Sequence, residues 1–386
     1  RFGRKPLIIF GLLVFAAGSV VAAMADTLTG VIIGRALQGS GAIAAVVLAL
    51  VADLTREQQR VKAMALIGMS IGGSFLLALM AGPALDRWIG VSGIFWLTAV
   101  LALGCIVVVV WWVPTPRHAV GDPGSKASAD YFREVMANAH LLRLDVGIFI
   151  LHMVLTAVFV VAPFALVETL GLKRDSHWQV YVPVLVGSIL LMAPLLILGM
   201  RRERTFWVFR SAIFIVLVGQ CVLFAGADQA ISLIAGLACF FVGFNLLEAM
   251  LPSLMTRLSP GYARGTAIGV YNTFQFAGVF VGGALGGILL GWFGSPGVFA
   301  FCVLATLVWL VVALTGRTPQ LRNSVTLRLD GEIDLASSSI EHILGALNGV
   351  DEVTVLPKDC VAYLRVDESC FDPEQAHAVP GVLAPD

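Results

Sequence analysis

The sequence predicts a polytopic membrane protein that is helical over most of its length and ends in a small α+β domain. Three observations predict this fold class. Hydrophobic residues make up 58% of the 386 residues and charged residues only 13%, whereas soluble domains carry about 25% charged residues. Apolar runs of the length that crosses a bilayer as a helix recur along the chain. After Arg322 the composition becomes polar and acidic. These features disfavour a water-soluble enzyme, a disordered protein and a nucleic-acid-binding protein.

Ten apolar runs are long enough to span a membrane as helices. They cover residues 6–25, 28–52, 63–84, 93–113, 145–167, 179–199, 206–225, 229–254, 264–290 and 297–315. The connections on the side of the first residues hold 17 Lys and Arg, and those on the other side hold three. Because cytoplasmic loops are enriched in Lys and Arg, both ends of this chain are predicted to be cytoplasmic.

The longest internal connection, residues 114–143, divides the membrane part into four helices and six helices. Its first half has the Pro and Gly of a linker. Its second half, 130–142, has apolar residues at helical spacing, which predicts an amphipathic helix on the cytoplasmic face, with an ordinary solvated helix as the alternative. The predicted domains are a helix bundle (1–113), this central loop (114–143), a second bundle (144–316), and a linker with a cytoplasmic domain (317–386).

In the C-terminal segment, stretches where apolar and polar residues alternate are interspersed with stretches where apolar residues follow helical spacing. Their order, β-α-β-β-α, predicts a small α+β domain. Residues 1–323 carry 22 basic and 13 acidic residues, and residues 324–386 carry 3 and 12. The net charges are therefore +9 and −9, and the overall zero is a cancellation. We expect the acidic domain to dock on the basic cytoplasmic loops.

Two motifs near the start of the chain indicate a family. The first six residues, RFGRKP, resemble the end of the D-R-x-G-R-[RK] motif in the cytoplasmic loop between the second and third helices of the major facilitator superfamily. Residues 35–42, RALQGSGA, resemble the fourth-helix motif of the same family. The resemblance implies twelve helices arranged as six plus six. On that expectation the ten helices are the third to the twelfth, and the first two precede the given sequence.

The resemblance implies a conformational lock at the cytoplasmic ends of these helices. Arg4 would pair with Asp53 in the outward-open state, and Arg1, Gly3 and Arg56 would belong to the same gating region. The alternative is a solvated charge at a helix end, which is worth less than about 1 kcal/mol.

Ionisable residues inside apolar helices are candidates for proton coupling. An arginine there costs about 2.5–3.5 kcal/mol on insertion scales, so Arg35 should be paired or face water. The resemblance implies proton coupling for Arg35, and bonding to neighbouring carbonyls is the alternative. Glu248 is the best proton-site candidate because a buried carboxyl can load and release a proton near neutral pH. His152 is the second candidate, and a hydrogen bond between helices is the alternative role for both. The candidate residues of a substrate cavity are Gln38, Asn245, Asn272 and Gln275.

A glycine-rich segment bears on the direction of transport. Gly72, Gly73, Gly82 and Pro83 match part of the fifth-helix motif of the drug/proton antiporter branch of the superfamily, although other glycines of that motif are replaced. A helix-packing interface without functional meaning is the alternative.

The C-terminal domain resembles a ferredoxin-like domain of the heavy-metal-associated type. One type of transporter in the antiporter branch carries such a domain on its cytoplasmic side, and the layout of this chain resembles it. The C-x-x-C pair of metal-binding members has no counterpart after the first predicted strand, so no metal and no other cofactor are predicted.

Together these resemblances imply a proton-coupled secondary transporter of a bacterial inner membrane that exports small amphipathic compounds by alternating access. Its partners would be a small-molecule substrate, protons and the bilayer, and not nucleic acid. Metabolite uptake on the same fold stays open, as does a non-transporting membrane sensor with a regulatory cytoplasmic domain. An enzyme is least favoured because the sequence has no nucleophile–base pair, metal-ligand cluster or phosphate-binding loop.

Overall fold

A computed structural model describes residues 4–41, 43–55, 57–114, 129–199, 204–260, 263–316, 323–330, 338–356, 360–367 and 370–383. The chain divides into two compact units, Arg1–Val120 with Lys173–Val182 and Gly121–Leu172 with Pro183–Asp386. Within the described ranges, seven helices are long and apolar enough to cross a membrane. The predicted polytopic helical class is therefore confirmed, and the count of ten crossings stays a prediction.

The helices of the first unit are α1 (Arg4–Ala23), α2 (Leu28–Ser40), α3 (Ala44–Leu54) and α4 (Glu57–Trp111). Buried apolar side chains join α1, α3 and α4, among them Ile8, Leu12, Leu50 and Ala102. The predicted span 28–52 is thus two helices rather than one. Its break follows a Gly-Ser-Gly sequence at 39–41, and glycine favours helix less than alanine by about 1 kcal/mol.

The helices that follow are α5 (Ala129–Ala137), α6 (Ala139–Leu170), α7 (Trp178–Gly199), α8 (Thr205–Gly226), α9 (Ala230–Leu258) and α10 (Arg264–Thr315). In the second unit α6 packs along α10, and α8 packs along α9. The predicted amphipathic helix ends at Ala137 rather than at residue 142. The Asn138 side chain accepts hydrogen bonds from the backbone N–H groups of His140 (3.0 Å) and Leu141 (3.4 Å), so the next helix already begins at Ala139.

Two predicted connections are single-residue kinks inside long helices. Gly90 interrupts α4 at φ 67°, and Gly294 interrupts α10 at φ 66°. Both glycines follow a Trp and a large apolar residue, in Trp88-Ile89-Gly90 and Trp292-Phe293-Gly294. Only glycine adopts such a backbone readily. A glycine kink therefore separates two predicted spans in each half of the chain.

The C-terminal region contains β1 (Asn323–Arg328), α11 (Ser338–Gly345), β2 (Val350–Leu356), β3 (Val361–Val366) and α12 (Pro373–His377). The three strands form an antiparallel sheet in the order β1-β3-β2. Leu327, Leu344 and Leu364 are buried in its core. Within the described residues, the predicted β-α-β-β-α order is confirmed as a small α+β region.

Candidate functional site

A polar cluster joins three apolar helices of the second unit. His152 of α6 is buried, and its ring Nε2 accepts a hydrogen bond from Gln275 Nε2 of α10 at 2.8 Å. The same Nε2 lies 3.8 Å from Glu248 Oε2 of α9. We call His152, Glu248 and Gln275 the polar cluster. Two of the predicted proton-coupling residues and one predicted cavity residue therefore meet in space.

The hydrogen bonds of His152 define which ring nitrogen carries the proton. Its Nδ1 lies 3.3 Å from the carbonyl oxygen of Ile148, one turn earlier on α6. Because Nε2 accepts from the Gln275 amide, the proton of the neutral ring is on Nδ1, which donates to that carbonyl. A second proton on Nε2 would need the Gln275 amide to turn its oxygen toward the ring. The cluster therefore has two distinct hydrogen-bond arrangements, one for each charge state of His152.

The carboxyl of Glu248 is held less tightly than the ring of His152. Its Oε2 is buried, and no hydrogen-bond donor among the described residues reaches it, although the whole side chain is 39% exposed. The Tyr271 hydroxyl of α10 is also buried without a described partner. An acid next to a histidine in an apolar bundle can accept and release a proton without first breaking a strong hydrogen bond.

Close packing of α10 against α6 sets the cluster in place. A Cβ at Gly278 would overlap the carbonyl oxygen of Phe149, and one at Gly282 would overlap that of Met153. The two backbones are therefore nearly in contact beside His152, as small residues permit in membrane helices. Gln275 lies about one turn before Gly278, which brings its amide to the imidazole.

Asn245 and Asn272, the other predicted cavity residues of this half, do not join the cluster. The Asn245 Nδ2 donates to Ser188 Oγ of α7 at 2.8 Å, and that hydroxyl donates to the Leu185 carbonyl. Asn245 thus makes a hydrogen bond between helices, and its place in a substrate cavity stays a prediction. Asn272 lies half-buried in α10, next to Tyr271.

Asp145 and Tyr271 are residues that the sequence did not single out. Asp145 is fully buried in α6, and neither of its carboxyl oxygens has a hydrogen-bond partner among the described residues. Asp145 is the first residue of the predicted span 145–167. The spacing could have found it, because Asp145 and His152 are seven residues apart and lie on one helix face.

In the first unit, Arg35 is paired along its own helix. Its guanidinium donates to Gln38 Oε1 at 2.8 Å, and the buried Gln38 amide donates to Ser19 Oγ of α1. Ser19 in turn donates to the Phe15 carbonyl at 2.8 Å. The predicted cavity residue Gln38 therefore links two helices, and the predicted proton-coupling residue Arg35 lies at the end of this chain of hydrogen bonds.

The predicted gating lock lies largely outside the described residues. Arg1, Gly3 and Arg56 are not described, and of Asp53 only the backbone, in α3, is described. Arg4 is the first residue of α1. The pairing of Arg4 with Asp53 stays a prediction.

All four residues of the predicted fifth-helix motif lie in α4, although for Gly72 only the backbone is described. A Cβ at Gly73 or Gly82 would meet no described atom within 4 Å. The described residues therefore give no packing partner for these two glycines, and the motif stays a prediction.

An ionisable cluster shared by three apolar helices is typical of membrane transport proteins. The family model of the Major Facilitator Superfamily matches residues 1–283 and 247–347. This chain belongs to the major facilitator superfamily. It is therefore a membrane transporter of a small molecule and not an enzyme.

Curated relatives cover most of this superfamily member. The inner membrane transport protein YajR of Escherichia coli (strain K12) is 40% identical over 379 residues, 97% of this chain and 83% of that protein. An uncharacterized transporter of Buchnera aphidicola subsp. Schizaphis graminum is 33% identical over 81% of this chain and 80% of its own length. The multidrug resistance protein MdtH of Yersinia enterocolitica is 26% identical over 82% of this chain and 76% of its own length. The predicted layout is that of the YajR type, and the 40% identity confirms similarity to that protein.

A solved structure shares the superfamily fold. The human organic anion transporter MFSD10 (TETRAN) aligns with a TM-score of 0.60 over 81% of this chain and 77% of its own chain. The sequence identity is 15%, so this likeness concerns the fold alone.

Proposed function

We propose that this chain is a proton-coupled transporter that exports small amphipathic compounds across a bacterial inner membrane by alternating access. The polar cluster of His152, Glu248 and Gln275 carries the proposal, because it places two titratable groups 3.8 Å apart inside an apolar bundle. The names of the relatives support it, since one is an inner membrane transport protein and another, at low identity, a multidrug resistance protein.

The proposed coupling follows from the chemistry of the cluster. A proton that enters binds at Glu248 or at His152 Nε2, and protonated His152 attracts the Glu248 carboxylate. The Gln275 amide then turns from donor to acceptor, so α6, α9 and α10 change their contacts together. Proton binding would thereby bias the equilibrium between inward-open and outward-open states, which requires only that the two states bind the proton with different affinity.

The test measures flux with the full-length protein in proteoliposomes under an imposed pH gradient, with an amphipathic cationic dye as substrate. We expect Glu248→Gln to lose the gradient-driven component of dye flux. Glu168→Gln is the matched control, because Glu168 lies on the same helix as His152 but is exposed. Flux in Glu248→Gln that follows the gradient as in the control would refute the coupling.

The same assay separates the alternatives. Dye or metabolite that moves only toward the cytoplasmic side under every gradient would indicate uptake. Saturable ligand binding without flux would indicate a sensor.

We also infer that the C-terminal α+β region is a cytoplasmic domain of the ferredoxin-like type. Its antiparallel strand order β1-β3-β2 supports this, as does the single bridge that Val382 makes with Leu329 beyond β1. Docking of this acidic domain on the basic loops stays a prediction. It is tested by deleting residues 324–386, which should change the salt dependence of transport.

A further inference from the structure

The second unit has a basic pocket where the ends of four helices meet. Its cavity volume is about 50 Å³, enough for a group of the size of a phosphate, and it opens to solvent. The first turns of α6 and α8 and the last turns of α9 and α10 line it. His140 and Arg143 come from α6, and Arg210 comes from α8. No acidic side chain is among the lining residues.

Arg210 is fixed by the end of α10. Its Nε donates to the Ala313 carbonyl at 3.0 Å, and an η nitrogen donates to the Gly316 carbonyl at 3.4 Å. Backbone carbonyls at a helix end have no partners within the helix, so this guanidinium caps α10. A guanidinium has five N–H donors, and three of them are left for other acceptors.

Arg143 approaches the same place from α6. Its guanidinium packs against Gly316, where a Cβ would come within 3.0 Å of an η nitrogen. Within the described part of the chain, no carboxylate or carbonyl bonds to Arg143. Two guanidinium groups thus meet at Gly316 without an acid between them, and this arrangement is stable when an anion neutralises them. Planar guanidinium donors suit the oxygens of phosphate, which they bind bidentately.

The walls of the pocket are aromatic. The rings of Phe209 and Trp309 meet edge to face with centroids 6.4 Å apart, and Phe206 completes the wall. Trp207 beside it is 60% exposed. Aromatic residues at the ends of membrane helices mark the level of the lipid headgroups. Basic pockets between helices on the cytoplasmic side suit anionic headgroups, and the Lys and Arg distribution predicts that this end of the bundle is cytoplasmic.

We propose that this pocket binds the phosphate of an anionic phospholipid headgroup, with Arg143 as its principal ligand and Arg210 and His140 as supporting donors. The bound phosphate would join the first turns of α6 and α8 to the last turn of α10. The acyl chains would lie along the apolar outer surface of the helices. The site is independent of the polar cluster and of the direction of transport.

The experiment uses the full-length protein in neutral detergent, titrated with short-chain phosphatidylglycerol or phosphatidylcholine and measured by native mass spectrometry. We expect at least one phosphatidylglycerol to bind in preference to phosphatidylcholine and to raise the midpoint of thermal unfolding. Arg143→Gln should weaken that binding about tenfold or more. Arg133→Gln on the exposed face of α5 removes the same charge and should weaken it less than twofold.

Three results would overturn the proposal. Equal weakening in the two variants would indicate diffuse attraction to a basic surface. Binding unchanged in Arg143→Gln would show that the lipid binds elsewhere on the protein. Displacement of the lipid by equimolar inorganic phosphate would show that the anion is a soluble one. Should Arg143→Gln unfold early without lipid, Arg143→Lys keeps the charge and should retain weaker binding, because an ammonium lacks bidentate geometry.

Discussion

Replacing Gly278 by alanine tests whether backbone contact between α6 and α10 sets the polar cluster. The added Cβ would overlap the Phe149 carbonyl oxygen. Since an unstrained contact needs about 3.5 Å, the helices must separate locally by about 1 Å. The 2.8 Å hydrogen bond from Gln275 to His152 would then lengthen to about 3.8 Å, beyond the range of a hydrogen bond. Overpacking of this kind costs about 1–3 kcal/mol.

The measurement compares thermal unfolding in detergent and gradient-driven flux for Gly278→Ala and Gly287→Ala. Gly287 lies on the same helix, and a Cβ there meets no described atom within 4 Å. Gly287→Ala should therefore keep both properties or gain about 0.5–1 kcal/mol of stability, because alanine favours the helix. Gly278→Ala should unfold earlier and lose most of its coupled flux. Equal stability and equal flux in the two variants would refute the role of this contact.

Three further predictions concern single side chains. Asp145→Val should retain or raise the unfolding midpoint, because both carboxyl oxygens are buried without described partners; a clear loss of stability would contradict this. Asn245→Ala breaks the bond to Ser188 and should cost about 0.6 kcal/mol in the unfolding free energy, whereas Asn272→Ala serves as comparison. Asn138→Ala removes the cap of α6 and should cost about 1 kcal/mol; hydrogen exchange at His140 should rise, and unchanged exchange would count against the cap.

Hydropathy predicted the helices well and their ends poorly. Seven described helices are long and apolar enough to cross a membrane, because a bilayer-spanning helix needs many consecutive apolar residues, whatever its neighbours are. The predicted span begins about two turns after the start of α6, since His140, Arg143 and Asp145 interrupt the apolar residues of its first turns. Its true start depends on the Asn138 cap, which the hydropathy of the run does not record.

Helix breaks were also beyond the hydropathy pattern. The pattern treats Gly90 and Gly294 as parts of ordinary connections, but each is a single residue of positive φ within otherwise helical backbone. Conversely, the apolar run 28–52 gives no sign of the break before Ala44. Local backbone conformation depends on a few glycines and their packing, which average hydrophobicity does not record.

The sequence alone determined the class of molecule, its family motifs and the individual candidates Glu248, His152 and Gln275, because buried polar residues stand out in apolar helices. Only the tertiary structure decided that these three belong together. His152 and Gln275 are 123 residues apart in the chain, and their contact depends on the close approach of α6 and α10 at two glycines. Periodicity tells which residues share a face of one helix, whereas packing decides which faces meet.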